Sequence, residues 1–162
     1  MIIYLKNKDT LIVDDFKLKC CIGKNGLSLR KKEGDFTTPK GLFGLNTIYY
    51  RKDRVGKVDC KLKKKIITKK IGWCDDPNDK RYNEEIILNK KKIKENFFRN
   101  DHKYDYLITI DYNLKKKPDA GSAIFIHLTN DYKPTAGCIA LKKKDFEVLL
   151  KLINQKTKIK IS

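Results

Sequence analysis

The sequence predicts a mostly β protein, an antiparallel β-sandwich or barrel with one late amphipathic helix. Three observations carry this reading. Short apolar runs alternate with polar residues, turn residues separate most of these runs, and a helical apolar period is strong at one place only, near the C-terminus. With no internal repeat and no Pro/Gly/Ser linker, residues 1–162 read as a single domain. A chain of that length buries roughly two-thirds of its unfolded surface.

The N-terminal runs IIYL, TLIV and KLKCCIG, separated by Asn7-Lys8-Asp9 and Gly23-Lys24-Asn25-Gly26, predict a β-meander, with the Lys-Asn-Gly stretch as a hairpin turn. In EGDFTTPKGLFGLNTIYYR, Gly34-Asp35 and Pro39-Lys40-Gly41 are turn chemistry, and GLFGLNTIYY is a strand. Residues 51–100 are mixed: short apolar runs (KIIT, EEIIL) flank the polar centre GWCDDPNDKRYN, and a short helix is expected around 90–99. DYLITIDYN (105–113) and SAIFIHL (122–128) are strands. Phe146, Leu149, Leu150 and Ile153 fall at i, i+3, i+4 and i+7 of a helix, and TKIKIS closes as a last strand.

A net charge of +18 suggests a polyanionic partner, but the cations are mostly lysine in short runs such as Lys63-Lys64-Lys65 and Lys115-Lys116-Lys117. Arginine, the residue that reads bases and phosphates in bidentate fashion, is scarce. We read a solvated lysine surface and no nucleic-acid partner. No stretch approaches the ~18 apolar residues of a membrane span. The N-terminus lacks the charged head, apolar core and cleavage site of a secretory signal, which alone predicts a cytoplasmic product. The five cysteines contain no C-x-x-C spacing, so neither a disulfide framework nor a zinc site is expected. Monomer is the default.

Chemistry concentrates in IFIHLTNDYKPTAGCIAL, residues 124–141. A thiol of ordinary pKa is a few per cent thiolate at neutral pH, so a nucleophile needs a histidine or positive dipoles nearby. His127 ends an apolar strand, a polar loop returns the chain, and Gly137 opens the approach to Cys138. The N–H groups of Gly137 and Cys138 are then candidates for an oxyanion hole. The alternative is a structural strand histidine and a core cysteine.

Residues 122–141, SAIFIHLTNDYKPTAGCIAL, resemble the catalytic segment of the L,D-transpeptidase (YkuD-type) family, where a histidine-ended strand leads through a loop to a glycine-cysteine nucleophile. GDFTTPKGLFGL (34–45) is similar to the family's Gly-Asp-x-x-Thr-Pro-x-Gly-x-Phe segment, and GWCDDPNDKRYN (72–83) to a Trp-Cys-Asp-Asp-Pro…Tyr-Asn signature of a branch common in proteobacteria. YDYLITIDYN (104–113) matches the preceding strand. The resemblance implies acyl transfer on peptidoglycan stem peptides. Cys138 attacks the donor tetrapeptide with His127 as base, the thioester passes to an acceptor amine, and no cofactor or metal takes part. It also implies action in the periplasm or cell envelope. Best-known members carry Ser/Thr-His before Gly-Cys and an arginine two residues after the cysteine, both substrate anchors; here those positions are Thr135-Ala136 and Ala140.

On the substrate side the candidates are Ser122, Thr135 and Ala136, with Asp75 and Asp76 to bind a substrate ammonium, Trp73 as packing or a groove wall, and Tyr82 and Asn83 to position a loop or meet substrate. Ser122 is a candidate to orient the ring of His127, while Asp75-Asp76-Pro77-Asn78 also reads as a plain turn. Three functions stay open: a peptidoglycan acyltransferase, an L,D-carboxypeptidase or other hydrolase of the same stems, and a non-catalytic basic module binding cell-wall polyanions or nucleic acid.

Overall fold

The structure, a computed structural model, describes residues 1–88 and 95–162. Alternation shapes the first strands: in β1 (Ile2–Lys6), Ile3 and Leu5 face the core while Ile2 and Tyr4 face solvent. β2 (Thr10–Val13) and β3 (Phe16–Cys21) follow antiparallel, giving the expected meander. Gly26 N–H closes a turn on the Gly23 carbonyl at 2.9 Å, but no hairpin forms there. The next strand, β4 (Leu27–Ser28), pairs in parallel with β5 (Thr38–Pro39), because the free edge of β3 is taken by a strand from the far end of the chain.

β6 (Gly41–Tyr50) is the long strand expected from GLFGLNTIYY. A short helix α1 (Lys52–Val55) and β7 (Lys63–Ile66) come next, then β8 (Ile71–Trp73), β9 (Glu85–Ile87) and β10 (Glu95–Asn96). The helix expected around 90–99 is absent from the described part of that range, where residues 95–96 are extended and pair with β8; residues 90–94 lie outside the described residues. β11 (Tyr106–Ile110), β12 (Phe125–Leu128), β13 (Ile139–Leu141), helix α2 (Lys143–Leu152) and β14 (Lys158–Ile161) complete the chain.

The main sheet runs β11-β12-β13-β3-β2-β1-β14-β6-β7, and an additional β11–β6 pairing closes it into a barrel. β6 makes closure possible because it is long: Gly41–Gly44 pair with β14, and Leu45–Tyr50 pair with β11 past a bulge. Most pairings are antiparallel, but β1–β14, β6–β7 and β12–β13 are parallel.

β11, β12 and β13 are buried along their whole length, since each faces a separate apolar layer on either side. Ile108, Ile126, Leu128, Ile139 and Leu141 face the barrel core with Phe146, Leu149 and Leu150 of α2. Ile153 joins that core just past the helix end. Leu107, Phe125 and Cys138 belong to the second layer, with Phe97, Tyr104 and Trp73, which the small sheet β10-β8-β9 helps to build.

Phe146 is fully buried and stacks on Tyr106 with ring centroids 5.4 Å apart. Phe146→Ala is therefore expected to cost about 3–5 kcal/mol of unfolding free energy in a urea titration. A loss under about 1 kcal/mol would mean that α2 does not close the core.

Candidate active site

Parallel strands pair like with like, so directly opposite residues share a face. The register sets Ile126 against Ile139 and His127 against Ala140, which puts Cys138 opposite Phe125. Phe125, His127, Cys138 and Ala140 thus all face the second layer. Cys138 Sγ accepts the Phe125 N–H at 3.3 Å and donates to the Ala123 carbonyl at 3.2 Å. Both the thiol and the imidazole line one cleft of about 520 Å³.

His127 is held by its own strand: Nδ1 lies 2.9 Å from the Leu128 carbonyl oxygen. A carbonyl only accepts, so Nδ1 carries the proton and Nε2 keeps the basic lone pair. The ring also meets Tyr104 edge-on at 5.4 Å. Burial lowers the imidazole pKa to about 4, against the pull of the Leu128 carbonyl, and the nearby cations Lys103 and Arg99 push the same way as burial. Burial likewise raises the Cys138 thiol to about 12; the Phe125 N–H and the Lys31 charge oppose the rise and Glu95 adds to it. Burial favours the neutral thiol and the neutral imidazole, both on the one cleft, and the thiol proton lies on the Ala123 carbonyl.

The loop before the cysteine is tied down on both sides. Thr135 N–H donates to the Ile22 carbonyl and its own carbonyl accepts from Lys24 N–H, both at 2.9 Å. Its hydroxyl accepts the Gly137 N–H at 3.1 Å and donates to the Cys138 carbonyl at 2.6 Å. Thr38, fully buried, donates to the Gly137 carbonyl at 2.8 Å and accepts the Gly23 N–H at 2.9 Å. Gly137 sits at φ 144°, and a β-carbon there would lie 2.8 Å from the Thr37 carbonyl oxygen, so only glycine fits. The Gly137 N–H, which the sequence offers to a substrate oxyanion, donates to the Thr135 hydroxyl in this structure.

The other expected residues divide between the cleft wall and the layer behind it. Ser122, Thr135, Ala136 and Asp75 line the cleft. Ser122 does not orient His127, a task taken by the Leu128 carbonyl; its hydroxyl donates to Glu33 Oε2 at 2.7 Å. Tyr82 is buried and donates to the same Glu33 oxygen. Trp73 Nε1 donates to Asn83 Oδ1 at 3.0 Å, and that oxygen also accepts the Ala123 N–H at 3.1 Å. Asn83 Nδ2 donates to the Tyr112 carbonyl at 2.8 Å. Tyr82, Trp73 and Asn83 therefore brace the segment that holds the sulfur. Asp76 Oδ1 accepts the Asn78 N–H at 3.0 Å, the turn reading of that stretch.

Sequence reasoning missed Lys31 and Glu33, which line the cleft, and the position of Asp35 against Lys31. The Gly-Asp-x-x-Thr-Pro stretch was the available signal for Asp35 and Thr38; nothing singles Lys31 out among 38 lysines and arginines.

Comparison with known proteins places this chain in a family. The YkuD model, the L,D-transpeptidase catalytic domain, matches residues 1–161. Among solved structures, the helical cell shape determining protein Pgp2 from Campylobacter jejuni is similar in fold, with a TM-score of 0.51 at 20% identity, over 99% of this chain and 46% of that one. This chain thus spans about half the length of that protein. No curated protein matches it in sequence. The chain belongs to the YkuD family of L,D-transpeptidase catalytic domains.

Proposed function

We propose that the chain is a single catalytic domain, a cysteine acyltransferase that crosslinks peptidoglycan in the cell envelope through a thioester on Cys138, with His127 as base. The observation that carries this reading is the shared face: the thiol and an imidazole with Nε2 as its basic nitrogen line one cleft.

The neutral pair defines the first step. As Cys138 Sγ bonds to the carbonyl carbon of the diamino acid in a donor tetrapeptide, the thiol proton leaves the Ala123 carbonyl and passes to His127 Nε2. The tetrahedral adduct collapses with cleavage of the C–N bond, and His127 returns the proton to the departing amine of D-alanine. An acceptor-stem amine then attacks the thioester carbon and gives its proton to His127, and the sulfur leaves as the new amide forms. The monomer is the unit we assign, with donor and acceptor peptides as its partners.

Incubation with a purified tetrapeptide-stem muropeptide, followed by mass spectrometry, is expected to yield crosslinked dimer. Free D-alanine without dimer would make the protein an L,D-carboxypeptidase. Cys138→Ala is expected to reduce turnover at least about a thousandfold, and full activity in that variant would remove the cysteine chemistry altogether.

The pKa of His127 adds a stability signature. The folded ring protonates at about 4 against an ordinary 6.5. Between those values the unfolded chain binds more protons, so stability falls as pH drops through this window, by at most about 3 kcal/mol. Urea titrations at pH 7 and pH 4.5 are expected to show a smaller acid loss for His127→Gln than for the unaltered chain. Equal losses would mean that the folded ring titrates normally.

A further inference from the structure

An acyl transfer at Cys138 builds negative charge twice, on sulfur and then on the carbonyl oxygen, and the thiol is buried. Of the two N–H groups that the sequence offers for this charge, that of Gly137 is engaged by Thr135. Lys31 stands beside it. Its side chain is 4% exposed, and it lines the cleft with Cys138. Two glycines make room for it: a β-carbon on Gly137 would lie 3.3 Å from Lys31 Nζ, and one on Gly121 would lie 2.9 Å from Lys31 Cε. The ammonium therefore threads between the two segments that hold the sulfur, the one leading to Ala123 and the one ending at Gly137.

We propose that Lys31 supplies the positive charge of this site, its ammonium neutralising the Cys138 thiolate and then the oxyanion of the tetrahedral adduct. This rests on the cysteine reading above and adds the group that stabilises its anions.

Asp35 pairs with the ammonium at 2.8 Å. Partial burial works against the Asp35 carboxylate, but hydrogen bonds from Lys31, Lys32 and Thr37 bring its pKa down to about 2. Its oxygens also accept from Lys32 N–H at 2.6 Å and from Thr37 N–H and Oγ1 at 2.9 Å. Asp35 thus shares its charge among several donors. Lys31 has one further contact, the Lys32 carbonyl at 3.4 Å, so among the described residues two of its three N–H donors are used. Of the other charged groups on the cleft, Glu95 acts on the thiol with the opposite sign to Lys31. Glu33 is occupied by Tyr82 and Ser122, and Lys103 and Arg99 act on His127.

The test is the rate at which the neutral reagent iodoacetamide alkylates Cys138 in the folded full chain at pH 8, read by peptide mass spectrometry. Lys31→Met is expected to slow it about tenfold or more, and Lys31→Arg to stay within about threefold of the unaltered chain. Asp35→Asn, which keeps the ammonium and removes its counter-charge, is expected to speed it severalfold. A strut that merely supported the loop would make Lys31→Met and Asp35→Asn move the rate the same way. That result, or changes under about twofold in both, would overturn the proposal while leaving the cysteine reading intact if Cys138→Ala still abolishes turnover. Should Lys31→Met fail to fold by circular dichroism, Asp35→Asn and Lys31→Arg decide the matter alone. Turnover that survives Cys138→Ala would remove the cysteine reading, and this proposal with it.

Discussion

The parallel pairing of β12 with β13 is the constraint on which the rest of the site depends. It brings two strands separated by a polar loop into one register, so that Phe125, His127, Cys138 and Ala140 point the same way. The same pairing lets the Phe125 N–H reach the sulfur, and the Ala123 carbonyl completes the clamp. A one-residue slip would turn His127 toward the barrel core and the thiol away from it, which explains how heavily the loop is fastened. Thr135 ties it to the end of β3, and Thr38 ties Gly137 to Gly23.

Behind that pair the molecule is built for rigidity. Ala123 sits at φ 55°, an unfavourable value for a residue with a β-carbon, and its amide is held by Asn83 while its carbonyl holds the thiol. Asn83 in turn is fixed by Trp73, whose ring meets Phe125 edge-on at 5.4 Å. The aromatic layer continues through Phe97 and Tyr104 to His127. Burial favours the neutral forms of both thiol and imidazole.

Much of this was legible in the sequence, and the failures share a cause. Alternation and turn residues are local, so the meander, β6, β11, β12, α2 and β14 could be read from single windows. The family signature likewise pointed to His127, Gly137 and Cys138. What needed distant partners could not be read. The turn at 23–26 has hairpin chemistry, but the edge of β3 belongs to β13, more than a hundred residues on. Ser122 sits close to His127 in sequence yet bonds to Glu33, while Gly137 N–H turns to a hydroxyl two residues back. Lys31 is the sharpest case: in a chain crowded with lysine, only its burial and its pairing with Asp35 distinguish it.

The central claim is that the sulfur of residue 138 carries the acyl group. The most direct measurement is mass spectrometry of the protein quenched in acid during reaction with a tetrapeptide-stem donor. The expected result is an adduct, equal in mass to the donor less D-alanine, on the peptide that contains Cys138. Product formed without any such adduct, or an adduct found only on another residue, would contradict it.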